Sequence, residues 1–271
     1  MNWHLGMATG AYLDRRIDDV LPLLGESGVR GVEIGTPPGH FHPEAPHEVE
    51  AVADVLRRTA LTAVSIHAPF SRSLDLASPD AADRDRAITA AVTAGRALRR
   101  LGGHIVVVHP SDLERAGQDV DARLADSLAS LTTLAIRMGE LGATLAVESP
   151  LPHLIGGHPD ELRWLLAGLD RSVRVCLDTG HAALGQQWHR LLDVADGRLA
   201  HVHASDNHGT FDDHLPPGDG RIDWAEIGRT LAAADFRGWI MLELHAATGD
   251  PAPFFRRAMA QAARLLPALP D

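Results

Sequence analysis

VRVCLDTGHA, residues 173–182, sets an apolar, β-branched run directly before an aspartate, a threonine, a glycine and a histidine. A short run of this kind reads as a buried strand, and the polar residues after it mark the exit from the core. The same order recurs at VSIHAPF (64–70), IVVVHPS (105–111), TLAVESP (144–150), LAHVHASDN (199–207) and WIMLEL (239–244). Runs that are apolar throughout, not alternating, belong to strands covered on both faces, as in a parallel sheet. Longer Ala/Leu/Arg stretches separate them. Strands are expected at 4–8, 31–34, 63–67, 105–109, 144–148, 173–178, 199–203 and 239–243, each followed by a helix. The clearest helix spans 81–101, where Ile88, Val92, Ala94, Leu98 and Leu101 form an apolar stripe and Gly102-Gly103 the stop. Asp160 is expected to N-cap DELRWLLAGL. Eight strand–helix units predict an α/β fold, a single (β/α)8 TIM barrel filling one domain over 1–271. No stretch is long enough for an interdomain linker, and no short repeat or low-complexity tract interrupts the pattern.

Composition removes several mechanisms. All 25 basic residues are arginine, so no lysine amine can form a Schiff base. Cys176 is the only cysteine and lies inside an apolar run, where a small buried hydrophobe is expected. A formal charge of −11 opposes binding to a phosphate backbone, and an aromatic content of 4% is poor material for stacking on bases, so duplex DNA is not the expected partner. No signal-like or membrane-spanning run is present, which predicts a cytoplasmic protein with no membrane partner. Sixteen histidines is a high count for this length and prompts the search for a metal site.

That site is legible in where the ionisable residues fall. His67, His109, Glu148, Asp178, His203 and Glu243 each stand at or beside the C-terminal end of an expected strand. An unpaired carboxylate or imidazole there is costly, and a ring of them needs a shared partner. A divalent cation offsets carboxylate repulsion and accepts imidazole nitrogens as well. Barrel enzymes place their active sites at this face.

The ordered set VEIG (32–35), HAPF followed by LASPD (67–80), VVVHPS, AVES, LDTGHA, HVHASDN, DDHLPPGDGRIDW (212–224) and LEL resembles the xylose isomerase-like barrels of AP endonuclease family 2, which include endonuclease IV-like enzymes and sugar phosphate isomerases and epimerases. That resemblance implies nine zinc ligands in three groups. His67, His109 and Glu148 would hold one ion, with Glu148 bridging. Glu148, Asp178, His203 and Glu243 would hold a second, and His181, Asp212 and His214 a third. The same resemblance also implies that Glu148, Asp178, His203 and Glu243 alone suffice for the single-metal site of the epimerases, which usually carry an arginine where this chain has His214. The segment GTPPGHFHPEAPH (35–47) lacks the aromatic and basic character needed to grip a duplex, so the metal shell transfers and the substrate loops do not.

Two reactions follow. With up to three ions, a metal hydroxide oriented by Glu148 hydrolyses a phosphoester on a substrate other than duplex DNA; the complete ligand set makes this the leading reading. In the alternative, one ion, zinc or a manganese-like metal, fixes a hydroxyketone while Glu148 and Glu243 move the carbon-bound proton and His181 steadies the intermediate. A non-catalytic metal-binding barrel is the remaining reading. Either enzyme takes a small sugar-like or phosphorylated substrate, with Ser71, Arg72, Asn207 and Arg221 as candidate contacts.

Plainer roles stay open for the same residues. His67 and His109 are also plausible as core histidines, Asp178 or Thr179 as a helix cap, and His181 as a substrate donor. Asp212, Asp213 and His214 fit a solvated loop. His201, two residues before His203, is expected to pack deeper in the barrel, and Trp224 and Trp239 to fill the core. His40, His42, His47, His153, His158, His189 and His208 are expected on the surface or in loops, with His208 the one nearest the site.

Overall fold

The computed structural model describes residues 3–12, 15–245 and 250–267, so both ends of the expected 1–271 domain lie outside the described residues. Eight parallel strands close into a barrel in chain order. They are β1 (His4–Ala8), β2 (Gly31–Ile34), β3 (Thr62–His67), β4 (Ile105–Val108), β5 (Thr144–Glu148), β6 (Arg174–Asp178), β7 (Leu199–Ala204) and β8 (Trp239–Leu242), and β8 pairs with β1. The sheet is ringed by α1 (Ile17–Glu26), α2 (Pro46–Thr59), α3 (Ala81–Arg100), α4 (Val120–Glu140), α5 (Pro159–Gly168), α6 (Thr179–Leu184), α7 (Trp188–Val194), α8 (Trp224–Ala233) and α9 (Pro251–Leu265). The expected (β/α)8 barrel is the observed fold, with strand ends within a residue of the sequence reading.

Side chains alternate across each strand, and this parity makes two cores. Val106, Val108, Leu145, Val147, Val175, Leu177, Val202, Ile240 and Leu242 face the helices. Val64, Ile105, Val107, Ala146, Cys176 and Met241 fill the barrel interior with Trp239 packed against them. Gly31 leaves the space that the Trp239 ring occupies, since a Cβ there would overlap it. Cys176 is therefore the small buried hydrophobe expected, and burial pushes its thiol pKa up. Trp224 is core as expected, and its indole N–H also donates to Asp206 at 2.8 Å.

Two register shifts keep the parity where the site needs it. Val32 pairs with Ala63 but Glu33 with Ser65, and Val175 pairs with Leu199 but Cys176 with His201. The extra residue in β3 and in β7 turns Ser65, His67, His201 and His203 into the barrel.

One local expectation is corrected. The cap of α5 is His158, which accepts from Asp160 N, and not Asp160. Pro159 explains the shift, because a residue with no N–H and a fixed φ suits the first helical position and leaves Asp160 in the first turn. His40 lies in the loop before α2, one of its expected settings, and is fully buried there: Nδ1 donates to Arg15 O at 2.6 Å and Nε2 meets Thr9 Oγ1 at 2.9 Å. The capped helix α3 fits its pattern, with the Asp80 carboxylate accepting from Ala82 N and Gly102 at φ +91 just beyond the end. Among the described residues no helix is long and apolar enough to cross a membrane.

Candidate metal centre

The strand positions that follow the inner core outward are the ionisable ones. Ser65 leads to His67, Val107 to His109, Ala146 to Glu148, Cys176 to Asp178, His201 to His203 and Met241 to Glu243, each two residues on and so on the same face. His109 and Glu243 stand one residue past β4 and β8. The loop between β7 and α8 adds Asp212 and His214, and α6 adds His181.

These side chains gather into groups whose ligand atoms lie within 4.8 Å of one another: His67, His109 and Glu148; Glu148, Asp178, His203 and Glu243; and His181, Asp212 and His214. All nine residues expected from the sequence are brought together, in the expected grouping. Glu148 joins two groups. Its Oε2 lies 3.1 Å from His67 Nε2 and 3.3 Å from His109 Nε2, and its Oε1 lies 3.1 Å from His203 Nδ1. Glu243 Oε2 reaches the same His203 Nδ1 at 3.2 Å.

The donor set fits metal ions on two observations. Asp178 Oδ2 and Asp212 Oδ1 are buried with no hydrogen-bond partner, an expensive condition that a cation relieves. In addition, five imidazoles present one nitrogen to the carboxylates, and in four of them the other is held from behind by a hydrogen bond. Nδ1 of His67 donates to Ala68 O at 3.0 Å, of His109 to Asp112 Oδ1 at 2.7 Å, of His181 to Ser149 O at 2.9 Å and of His214 to Glu243 O at 3.0 Å. His203 is reversed: Nδ1 faces the cluster and Nε2 lies 2.9 Å from Glu33 Oε1. A proton fixed on the outer nitrogen leaves the inner lone pair free for a metal.

Electrostatics follow from crowding. Burial opposes charge on Glu148, but His203 and His109 outweigh it and hold the carboxyl well below its usual range. Burial likewise opposes a charged His181, while Asp178, Asp212 and Glu148 prevail and raise it to about 9. His214 is raised to about 10 against burial, mainly by Asp212 and Glu243. For Asp178 burial wins, aided by Glu148 and Glu243, and the pKa moves up.

Asp178 takes the cap role left open for it and also stands in a ligand group. Its Oδ1 caps α6 by accepting from His181 N at 2.7 Å, while Oδ2 is buried without a hydrogen-bond partner. Thr179 is not the cap; its hydroxyl donates to Ser205 O at 2.9 Å. His201 packs below the site as expected, with no exposure. His208 is exposed and belongs to none of the ligand groups. His245 lines the cavity beside the centre, with its ring 4.2 Å from that of His214. Asn207 spends its amide on Gly180 O and Gly209 N, and Ser71, Arg72 and Arg221 are exposed.

Sequence reading missed Glu33 and Asp112, which contact ligands from behind. VEIG had shown a lone acidic residue inside an apolar run, which was the available signal for Glu33. A cavity of about 290 Å3 opens onto the centre, lined by Glu33, Thr36, His67, Phe70, Glu243 and His245 among others. A larger one of about 730 Å3, bounded by His4, His104, Arg174 and Trp239, lies at the N-terminal strand ends, away from these side chains.

The sequence profile of xylose isomerase-like TIM barrels matches residues 21–267. The chain belongs to this family. Inosose dehydratase of Bacillus velezensis is 26% identical over 186 residues, covering 57% of this chain and 60% of that protein. The 3-dehydro-D-guloside 4-epimerase of Escherichia coli is 27% identical over 142 residues, 51% of each chain. A solved D-tagatose 3-epimerase-like protein superposes with a TM-score of 0.83 at 21% identity over 98% of both chains, a likeness of fold. Two of the relatives thus carry the names of a sugar epimerase and of a dehydratase.

Proposed function

We propose that the chain is a metal-dependent sugar isomerase or epimerase that moves a proton on the carbon beside a carbonyl, with Glu148 and Glu243 as the acid–base pair. The observation that carries this reading is the placement of two carboxylates from β5 and from the end of β8 on one imidazole nitrogen, with Asp178 completing the group. Glu148, Asp178, His203 and Glu243 would hold one divalent ion, which supplies polarisation of the substrate carbonyl and neutralises the oxygen charge that develops.

The remaining work falls to side chains. Glu148 is held below the usual carboxylate range by His203 and His109, and Glu243 by His203, so the glutamate that acts as base enters ionised, and the one that acts as acid must first take a proton from solvent. One removes the proton and the other returns it from the facing side, giving the epimer or the isomer. His181, charged at neutral pH, donates toward negative charge on the substrate oxygen. Phe70, 51% exposed and packed on His67 and His109, gives the cavity an apolar wall for a sugar face. The names of the epimerase and dehydratase relatives support this chemistry over hydrolysis.

A second reading is favoured by one observation, the two flanking groups around Glu148 and Asp212, which proton transfer on a sugar does not require. With those groups also filled, the nine residues would serve phosphoester hydrolysis. Zinc suits the histidine-rich flanks, and manganese or a similar ion suits a single carboxylate-rich centre.

The test is metal analysis of protein purified without chelator, followed by NMR of ketoses incubated with loaded enzyme in D2O. About one ion per chain, with deuterium entering beside the carbonyl, is the expected result. Three ions per chain and release of phosphate from phosphoesters, with no exchange into sugars, would sink the epimerase reading.

A further inference from the structure

Below the metal centre, on the barrel axis, four buried polar groups from three strands close on one another. Glu33 of β2 accepts from Ser65 Oγ of β3 at 2.7 Å and meets His201 Nε2 of β7 at 3.1 Å, both through Oε2. Ser65 Oγ and His201 Nε2 are themselves 3.2 Å apart. The other oxygen, Oε1, makes the 2.9 Å contact with His203 Nε2, at ion-pair distance and short of ideal hydrogen-bond alignment. Glu33 is 1% exposed and both histidines have no exposure.

A carboxylate at such a depth survives as an anion only if its surroundings compensate it. Ser65 Oγ and His201 Nε2 on one oxygen and His203 Nε2 beside the other supply that compensation. Ser65 and His201 fix one oxygen, so the carboxylate cannot turn away from His203. The register shift between Val32 and Glu33 opposes Glu33 to Ser65, and the one between Val175 and Cys176 brings His201 and His203 to the interior.

His203 is the sole imidazole in the group formed with Glu148, Asp178 and Glu243. The other four histidines of the centre are held by three backbone carbonyls and by Asp112, which lies nearer the surface. We propose that Glu33 is a positioning residue: it keeps the proton of His203 on Nε2 and the Nδ1 lone pair aimed at the central ion, and so sets the affinity of the central ion and the orientation of the ring between Glu148 and Glu243. Ser65 and His201 act through Glu33 as its clamp. The inference rests on the central group holding a metal, and not on the identity of the substrate.

Glu33→Gln keeps the side-chain volume and turns an amide toward Nε2, which favours the opposite tautomer. The test uses the full chain stripped of metal and titrated with Zn2+ or Mn2+ against a chromophoric chelator, with long-range nitrogen NMR of the imidazoles. Expected are a rise of about 10–100-fold in the dissociation constant of the central ion and, in metal-free protein at alkaline pH where the ring is neutral, a proton moved to Nδ1 of His203. Unchanged affinity with the proton still on Nε2 overturns the proposal. Loss of one whole equivalent with the remaining ions at wild-type affinity also overturns it, because Glu33 would then be a ligand. Should the variant not fold, Ser65→Ala decides: it keeps the charge and frees one oxygen, and about a threefold weakening supports the clamp, while unchanged affinity refutes it. Failure of the sugar chemistry with wild-type metal binding intact would reject only the proposed reaction.

Discussion

Metal binding should expel protons, and counting them should tell how many ions the centre takes. Without metal, the excess of carboxylates is balanced by protonated histidines: His181 is raised to about 9 and His214 to about 10, and His109 and His203 stand well above the usual value. At pH 7.5 these rings are charged and must lose a proton to bind a cation. The cost is about 2 kcal/mol for His181 and about 3 kcal/mol for His214, from roughly 1.4 kcal/mol per pH unit below each pKa. Apparent affinity should therefore rise about tenfold per pH unit for each proton displaced. Filling the central group displaces about one proton, from His203; filling all three displaces up to five, with His67, His109, His181 and His214 added. Titration calorimetry with Zn2+ at pH 7.5, in buffers of different ionisation enthalpy, measures the number directly. Binding with no proton release would refute the picture of charge-balanced imidazoles on which the site description rests.

The same groups give the chelated protein a signed pH dependence: because the folded state binds more protons than the unfolded one, stability from His181 and His214 is full below about pH 6.5 and is lost as pH rises through about 9 and 10. Thermal melts in chelator should fall over that window and metal-loaded melts should not. Glu148→Gln and Glu243→Gln should each lower kcat on the active ketose by about 100-fold or more, and deuterium exchange in D2O with unchanged rates would remove them from the acid–base role. His67→Ala and His214→Ala should leave a single central ion in place if one metal suffices, while a three-ion centre would lose metal and turnover together. Asp206→Ala strips the acceptor from Asn207 N, Gly218 N, Ile222 N and Trp224 Nε1; a loss of about 3 kcal/mol or more is expected in urea unfolding, from roughly 1 kcal/mol or more per stranded donor.

Legibility in the sequence followed physical range. The barrel and its polar strand ends were readable because both are local: a covered strand must be apolar, and a charged residue at its end is visible against that run, as in IVVVHPS and TLAVESP. Ligand grouping was readable only through resemblance, since it joins residues as distant as His67 and Glu148. Pro159 displaced a cap assignment that Asp160 alone had suggested. The burial of His40 was not readable, because a loop histidine carries no local sign of it; Arg15 O and Thr9 Oγ1, which satisfy it, come from elsewhere.

By itself the sequence determined the barrel, the absence of lysine and thiol chemistry, and the ring of ionisable side chains at one end. Tertiary structure alone decided which nitrogen of each histidine faces the centre, that Asp178 both caps α6 and leaves one oxygen unpaired, and that Glu33 stands behind His203. The reason is that orientation depends on partners brought together by closure of the barrel. Two register shifts, which no composition or period announces, turn Ser65, His201 and His203 inward to meet Glu33.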